Sequence, residues 1–153
     1  MDLTIPMGDT KINIRVAVIM ETSKGFVLQK NSYGDYYFFM GGRLQLGQSS
    51  LAAAQRETFE ESGLNLKTED FQFVSIIENF WESPESKYQE FCFVYKTTKQ
   101  EKADFENALE AKNANFNPVE ITKENLKDLD IRPEIIKRLI LENKLDEITH
   151  HIV

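Results

Sequence analysis

The chain is poor in the residues that build redox or zinc chemistry: among 153 residues there is one cysteine and there are two histidines, adjacent near the C-terminus. A single cysteine, Cys92, excludes an internal disulfide, and its place in an apolar alternating run marks it as a core thiol in a reducing compartment. Neither His150 nor His151 is placed to activate it. Adjacent residues rarely converge on one ion, so the two histidines read as a fraying tail. Long hydrophobic runs are also missing. No segment approaches a membrane span, and residues 1–10 show no cationic stretch followed by an apolar one, so a soluble, unprocessed, cytoplasmic protein is expected. Positive charge is short as well. Eighteen Lys and Arg stand against 25 Asp and Glu, giving a net charge of −7 and a pI near 4.9, which argues against an electrostatic grip on duplex nucleic acid or an anionic membrane. An anionic substrate would need a bound cation.

What is present is concentrated in residues 41–64, GGRLQLGQSSLAAAQRETFEESGL. Ser49 or Ser50 can cap a helix, Leu51 to Ala54 favour one, and Gly63 stands where a left-handed residue ends it. About twelve helical residues at roughly 100° each place Glu57, Glu60 and Glu61 on one face. Leu51, Ala54, Thr58 and Phe59 point elsewhere. Three carboxylates spaced i, i+3 and i+4 repel one another, by a few tenths of a kcal/mol per pair on an isolated helix. Arg56 can reach Glu60, yet one cation does not neutralise three anions. The structural alternative is a solvated acidic face. The chemical one is a divalent ion, and hard oxygen ligands without nearby Cys or His select magnesium, manganese or calcium over zinc.

The same stretch resembles the box of the Nudix (MutT-like) hydrolases: a glycine, five residues, Glu, seven residues, then Arg-Glu-apolar-any-Glu-Glu-any-Gly-apolar. Here the box runs over residues 42–64, with Gly42 and then Arg56-Glu57-Thr58-Phe59-Glu60-Glu61-Ser62-Gly63-Leu64. Gln48 stands where the first glutamate belongs, Thr58 replaces an aliphatic residue, and Met40 occupies a position where many members have proline. The resemblance implies a single domain over 1–153 with a three-layer α/β/α sandwich around a mixed sheet. It implies Mg2+ or Mn2+ held by Glu57, Glu60, Glu61 and the carbonyl of Gly41, with Arg56 orienting the carboxylates. It further implies hydrolysis of a pyrophosphate bond in a small nucleotide-type substrate, and it leaves a homodimer open. Gln48 keeps a carbonyl but loses a charge, which raises a second reading: a catalytically weak or silent nucleotide-binding module.

Elsewhere, residues 12–20 read as a central strand carrying Arg15, either a salt-bridged rim residue or a cation reaching a substrate phosphate. Residues 25–30 and 36–40 follow as strands, then 71–81 and 88–97 as a long antiparallel hairpin, with Phe71, Phe73, Ser75 and Ile77 on one side. Glu90, amid aromatics, is either a ligand or base from outside the box or an edge-strand surface residue. Trp81 either stacks on a base or covers the core. Residues 99–117 turn polar, with a weak helix near 105–111. A short strand at 118–122 precedes a helix over 123–129 capped by Thr122, and Pro133 opens a last helix whose apolar face is Ile135, Ile136, Leu139, Ile140 and Leu141.

Overall fold

The computed structural model describes residues 1–99 and 102–153. Its organising element is β2 (Thr10–Ile19). The run Val16-Ala17-Val18-Ile19 is apolar at every position because both faces of the strand are covered. Val16 and Val18 face one core with Met40, Ala53 and Ala54, while Ala17 and Ile19 face a second with Leu28, Phe39, Ile136 and Leu139.

Strands β3 (Glu21–Thr22), β4 (Gly25–Lys30), β5 (Tyr37–Arg43), β6 (Phe71–Glu82), β7 (Lys87–Thr97) and β9 (Thr149–Ile152) extend the sheet around β2 in the order β3-β4-β5-β2-β7-β6-β9. β1 (Thr4–Met7) folds back on the start of β2, and β8 (Pro118–Ile121) pairs with β4. The sheet is mixed: β2 with β7 and β6 with β9 run parallel, the other pairs antiparallel. Helix α1 (Ser50–Ser62) covers one face; α2 (Lys123–Leu126) and α3 (Glu134–Leu141) cover the other. This is the expected three-layer α/β/α sandwich. Ile136 is fully buried in the core beneath α3, so Ile136→Ala is expected to cost about 2–5 kcal/mol in a denaturant titration.

Several local expectations are corrected. A bulge between Phe73 and Ser75 shifts the register of β6 on β7, so Phe71 joins the α1-side core while Val74 and Ile77 join the other. One extra residue on one strand re-aims every side chain beyond it. The helix expected over 123–129 is a single turn, α2, and Thr122 makes no capping side-chain bond. Pro133 sits one residue before α3, after a cis bond. Residues 105–111 form two 3-10 turns, Phe105–Asn107 and Leu109–Lys112; Gln100 and Glu101 of the polar stretch lie outside the described residues. The histidines are not a tail. They lie in β9, where His150 Nε2 is 2.6 Å from Glu78 Oε2 and His151 Nε2 is 2.9 Å from Thr149 Oγ1. No helix of the described residues is long and apolar enough to cross a membrane.

Candidate active site

The site begins with the register of α1, and that register is set by its caps. Ser49 accepts a hydrogen bond from the Ala52 N–H at 3.2 Å. Gly63, at φ 74°, donates its own N–H to the Phe59 carbonyl. Thr58, on the inner side, satisfies its hydroxyl on the Ala54 carbonyl at 2.8 Å, which is how a hydroxyl is tolerated where an aliphatic side chain is usual.

The helix thus presents Glu57 and Glu61, each only 8% exposed, against the end of β5, with half-buried Glu60 beside them. The Gly41 N–H donates to Glu61 Oε2 at 2.8 Å. The two glycines serve different ends. At Gly41, φ is 146° and a Cβ would stand 2.0 Å from the Val16 carbonyl oxygen, so glycine is needed for the β2–β5 ladder. At Gly42 a Cβ would stand 2.3 Å from Glu57 Oε1, so the missing side chain is the space the carboxylate occupies.

Arg56 acts as a clamp. Its Nη1 lies 2.8 Å from Glu57 Oε1 and 3.0 Å from Glu60 Oε2, and its Nη2 donates to the Arg43 carbonyl at 3.0 Å. A rigid fork with several donors makes this set of contacts; a lysine ammonium does not. Gln48 is drawn into the same clamp from outside the cleft, its Oε1 accepting from Arg56 Nη2 at 3.4 Å and from the Gln45 N–H at 3.2 Å. In that position its amide oxygen supports the arginine.

Burial raises the pKa of Glu57, against the pull of Arg56. Glu61 is pushed up to about 8, by burial first and by the Glu57 charge second, with the Gly41 N–H opposing. Among the described residues Glu61 makes no ion pair, and the Arg15 charge opposes its shift only from a distance.

Beside these carboxylates opens a cleft of about 670 Å³ lined by Gly42, Glu57 and Glu60 on one side and by Arg15, Trp81, Tyr88 and Glu90 on the other. Register explains the second group: β2 and β7 pair Asn13 with Glu90 and Arg15 with Cys92, and β6 pairs Trp81 with Tyr88. Arg15 is not the salt-bridged rim residue that was one of its two readings. Among the described residues it has no ion pair, and its buried Nε has no hydrogen-bond partner. Glu90 is not an edge residue; it is 7% exposed, its pKa raised by burial with the Arg15 charge as the main counterweight. Trp81 lies parallel to Tyr88, ring centroids 4.9 Å apart, and remains 38% exposed. Cys92 is core, its thiol pushed up to about 12 by burial.

Glu110 also lines the cleft, from the second 3-10 turn, and its charge adds to the upward shift at Glu61. No periodic or motif signal in the sequence marks it. Its position comes from the docking of residues 104–112 on the end of α1, where the Asp104 N–H donates to the Ser62 carbonyl.

As they stand, no three acidic, thiol or imidazole side chains among the described residues converge on one point. The donor set nevertheless fits a hard divalent ion. Glu57 and Glu61 are buried acids with too little positive charge between them, the space above Gly42 is reserved for a carboxylate, and every available donor is oxygen.

A NUDIX domain model matches residues 11–139. Among solved structures, the chain is similar to the MutT protein of Bacillus halodurans (TM-score 0.69, 16% identity, 91% of this chain and 89% of that one). It is also similar to a MutT structure from work on Aliivibrio salmonicida and Vibrio cholerae (0.61, 16%, 87% and 99%) and to the E. coli dihydroneopterin triphosphate pyrophosphohydrolase (0.60, 13%, 87% and 95%). No curated protein matches significantly in sequence.

Proposed function

The chain belongs to the Nudix family, and from that premise we propose that it hydrolyses a pyrophosphate bond in a nucleoside diphosphate linked to a second group, with Mg2+ or Mn2+ as cofactor. The observation that carries this reading is the placing of buried Glu57 and Glu61 at the Gly41-Gly42 pair, with Glu57 on the wall of a cleft whose other wall holds Arg15, which has no ion pair among the described residues. That one structural neighbour is a triphosphate pyrophosphohydrolase agrees with it.

In this reading Glu57, Glu60, Glu61 and the Gly41 carbonyl would hold the metal, which when bound neutralises phosphate oxygens and lowers the pKa of a water. The chain's own groups do the rest. Arg56 fixes the directions of Glu57 and Glu60 through the contacts described above. Arg15 offers a guanidinium to a phosphate oxygen. The exposed rim of the Trp81–Tyr88 stack offers a flat surface to the nucleoside. Glu57, Glu90 or Glu110 accepts the proton from the attacking water, each being a cleft carboxylate. We place all of this in one domain over 1–153, in the cytoplasm, where a buried reduced Cys92 is at home.

The test is a coupled phosphate-release assay on a panel of nucleoside diphosphate derivatives with magnesium and with manganese. Turnover should require the metal, and Glu57→Gln should reduce it by on the order of 10²-fold or more. Silence across the panel, with metal bound by calorimetry and the fold intact, would overturn the hydrolase reading in favour of a nucleotide-binding module. Gln48→Glu would then be the next protein to assay.

A further inference from the structure

Three strands lie side by side under the cleft, and their register sorts the residues facing it into rows. Lys11, Asn13 and Arg15 alternate to one side of β2; β7 sets Tyr88, Glu90 and Cys92 beside them, and β6 sets Trp81, Asn79 and Ile77 beside those. The first row ends in the stacked rings of Tyr88 and Trp81. The second is Asn13, Glu90 and Asn79. The third begins with Arg15, which faces Arg43 across the β2–β5 ladder. Next along that ladder come Gly42 and Gly41, with the carboxylates of α1 against them. Successive rows are two residues of strand apart, about 7 Å.

Like charges directly opposite each other in a ladder repel. Arg15 and Arg43 nevertheless both line the cleft, and among the described residues neither has an ion pair. That row suits a chain of phosphates. The middle row is built for something else. Glu90 and Asn13 are both buried, and Asn79 hydrogen-bonds to the Glu90 carboxylate. The Thr4 hydroxyl donates to Asn13 Oδ1 at 2.9 Å, so the amide NH2 is the group Asn13 has left for the cleft. A carboxylate offers two acceptor oxygens side by side, and a pair of neighbouring hydroxyls is the ligand group that matches them.

We propose that Glu90 reads the ribose of the substrate, its carboxylate accepting the 2′- and 3′-hydroxyls while Asn13 donates to one of their oxygens, so that the cleft selects ribonucleotides over deoxyribonucleotides. This deepens the proposed function and rests on its placing of a nucleotide in this cleft. The order of the rows carries the assignment. Aromatic surface, hydroxyl acceptor, arginine pair and carboxylate pocket succeed one another as base, ribose and phosphates do in a nucleotide. A buried acid plays this part toward ribose in dinucleotide-binding folds. Asn13, which pairs with Glu90, precedes the partner of Gly42 by three residues of strand, about 10 Å. That setback separates Glu90 from a water at the box carboxylates, and leaves Glu57 and Glu110 to take the proton.

The probes are the α,β-methylene diphosphates of adenosine and guanosine and their 2′-deoxy counterparts, which resist hydrolysis, titrated by calorimetry into the full chain with magnesium. The native protein should bind the ribo form of the base it prefers on the order of 10-fold or more tightly than the deoxy form, because the deoxy form leaves a buried acceptor unpaired. This ratio needs no variant. Glu90→Gln should abolish the preference by weakening the ribo form alone. Equal native affinities, a Glu90→Gln loss that falls on both sugars alike, or no binding of either sugar would each overturn the inference. So would a Glu90→Gln protein that binds as the native one does but loses kcat on ribo and deoxy substrates together, the signature of a proton acceptor. Turnover on the substrate panel decides the hydrolase reading separately. Ribose-selective binding without turnover would sink that reading alone, and turnover indifferent to the 2′-hydroxyl would sink this one alone.

Discussion

Gly41→Ala is expected to cost on the order of 3–5 kcal/mol in stability, while Gly42→Ala, one residue along, is expected to cost about 1 kcal/mol and yet to remove most of the activity. The difference lies in what each new methyl group meets. At Gly41 it meets the Val16 carbonyl oxygen at 2.0 Å, and backbone at φ 146° strains any L side chain. Relief would require β2 and β5 to part across the pair that joins Ala17 to Gly41. At Gly42 the methyl meets Glu57 Oε1 at 2.3 Å, the far end of a side chain that can swing away. Swinging breaks the 2.8 Å contact with Arg56 and moves the carboxylate off the glycine pair; under the proposed function, with Glu57 so displaced, kcat should drop on the order of 10²-fold. Urea midpoints and turnover, measured on both variants, check this. Two variants equally stable and equally slow would refute the division of labour.

Glu61→Gln carries the second large effect. The amide is the same shape and its oxygen can still accept the Gly41 N–H, so the substitution removes charge with little else disturbed. Under the proposed function, kcat should fall by on the order of 10²- to 10³-fold. Stability should move the other way. The folded pKa of Glu61, about 8, lies above its ordinary value of 4.5, so the folded state favours the protonated acid. Its contribution is complete below pH 4.5 and is lost as pH rises through 8. Metal-free native protein should therefore lose melting temperature between pH 5 and 8.5, and Glu61→Gln should flatten that loss. Magnesium should raise the melting temperature more at pH 8 than at pH 6, since a cation takes the proton's place. Identical pH slopes for native protein and variant, by differential scanning fluorimetry, would place the titration elsewhere.

Residues 41–64 were legible in the sequence because their signals are local. Ser49, Gly63 and the i, i+3, i+4 spacing of the glutamates act within a turn or two of one helix, and α1 forms with both caps as read. The order of the longer elements, β2, β4, β5, α1, β6, β7, β8 and α3, was legible for the same reason, while the short β1, β3 and β9 were not. What stayed hidden depends on partners distant in sequence. The bulge in β6 is visible only against β7. Strand β9 is four residues, Thr-His-His-Ile, whose pairing with Ser75–Glu78 no local pattern announces. Glu110 enters the cleft through the docking of a loop. The sequence could say that Arg15 and Glu90 each had two readings; only the alignment of β2 with β7 puts them at one cleft. Likewise the glycine pair pointed to a close approach, but which glycine yields to backbone and which to a carboxylate is decided by the packing of α1 on β5.

The parallel pairing of β2 with β7 also governs the order in which the molecule is made. Thr10 pairs with Lys87 and Ile19 with Lys96, so as the chain leaves the ribosome the middle strand waits for most of the sequence to follow. Its antiparallel partner β5 and the helix after it arrive far sooner, and the glycine–glutamate contact lies wholly within that early segment. Pairings between distant residues are slow to form, so assembly should proceed in two stages. Pulse-labelled amides of β5 and α1 should become protected before those of β7, with the carboxylate pocket shaped before the opposite wall of the cleft has closed beside it.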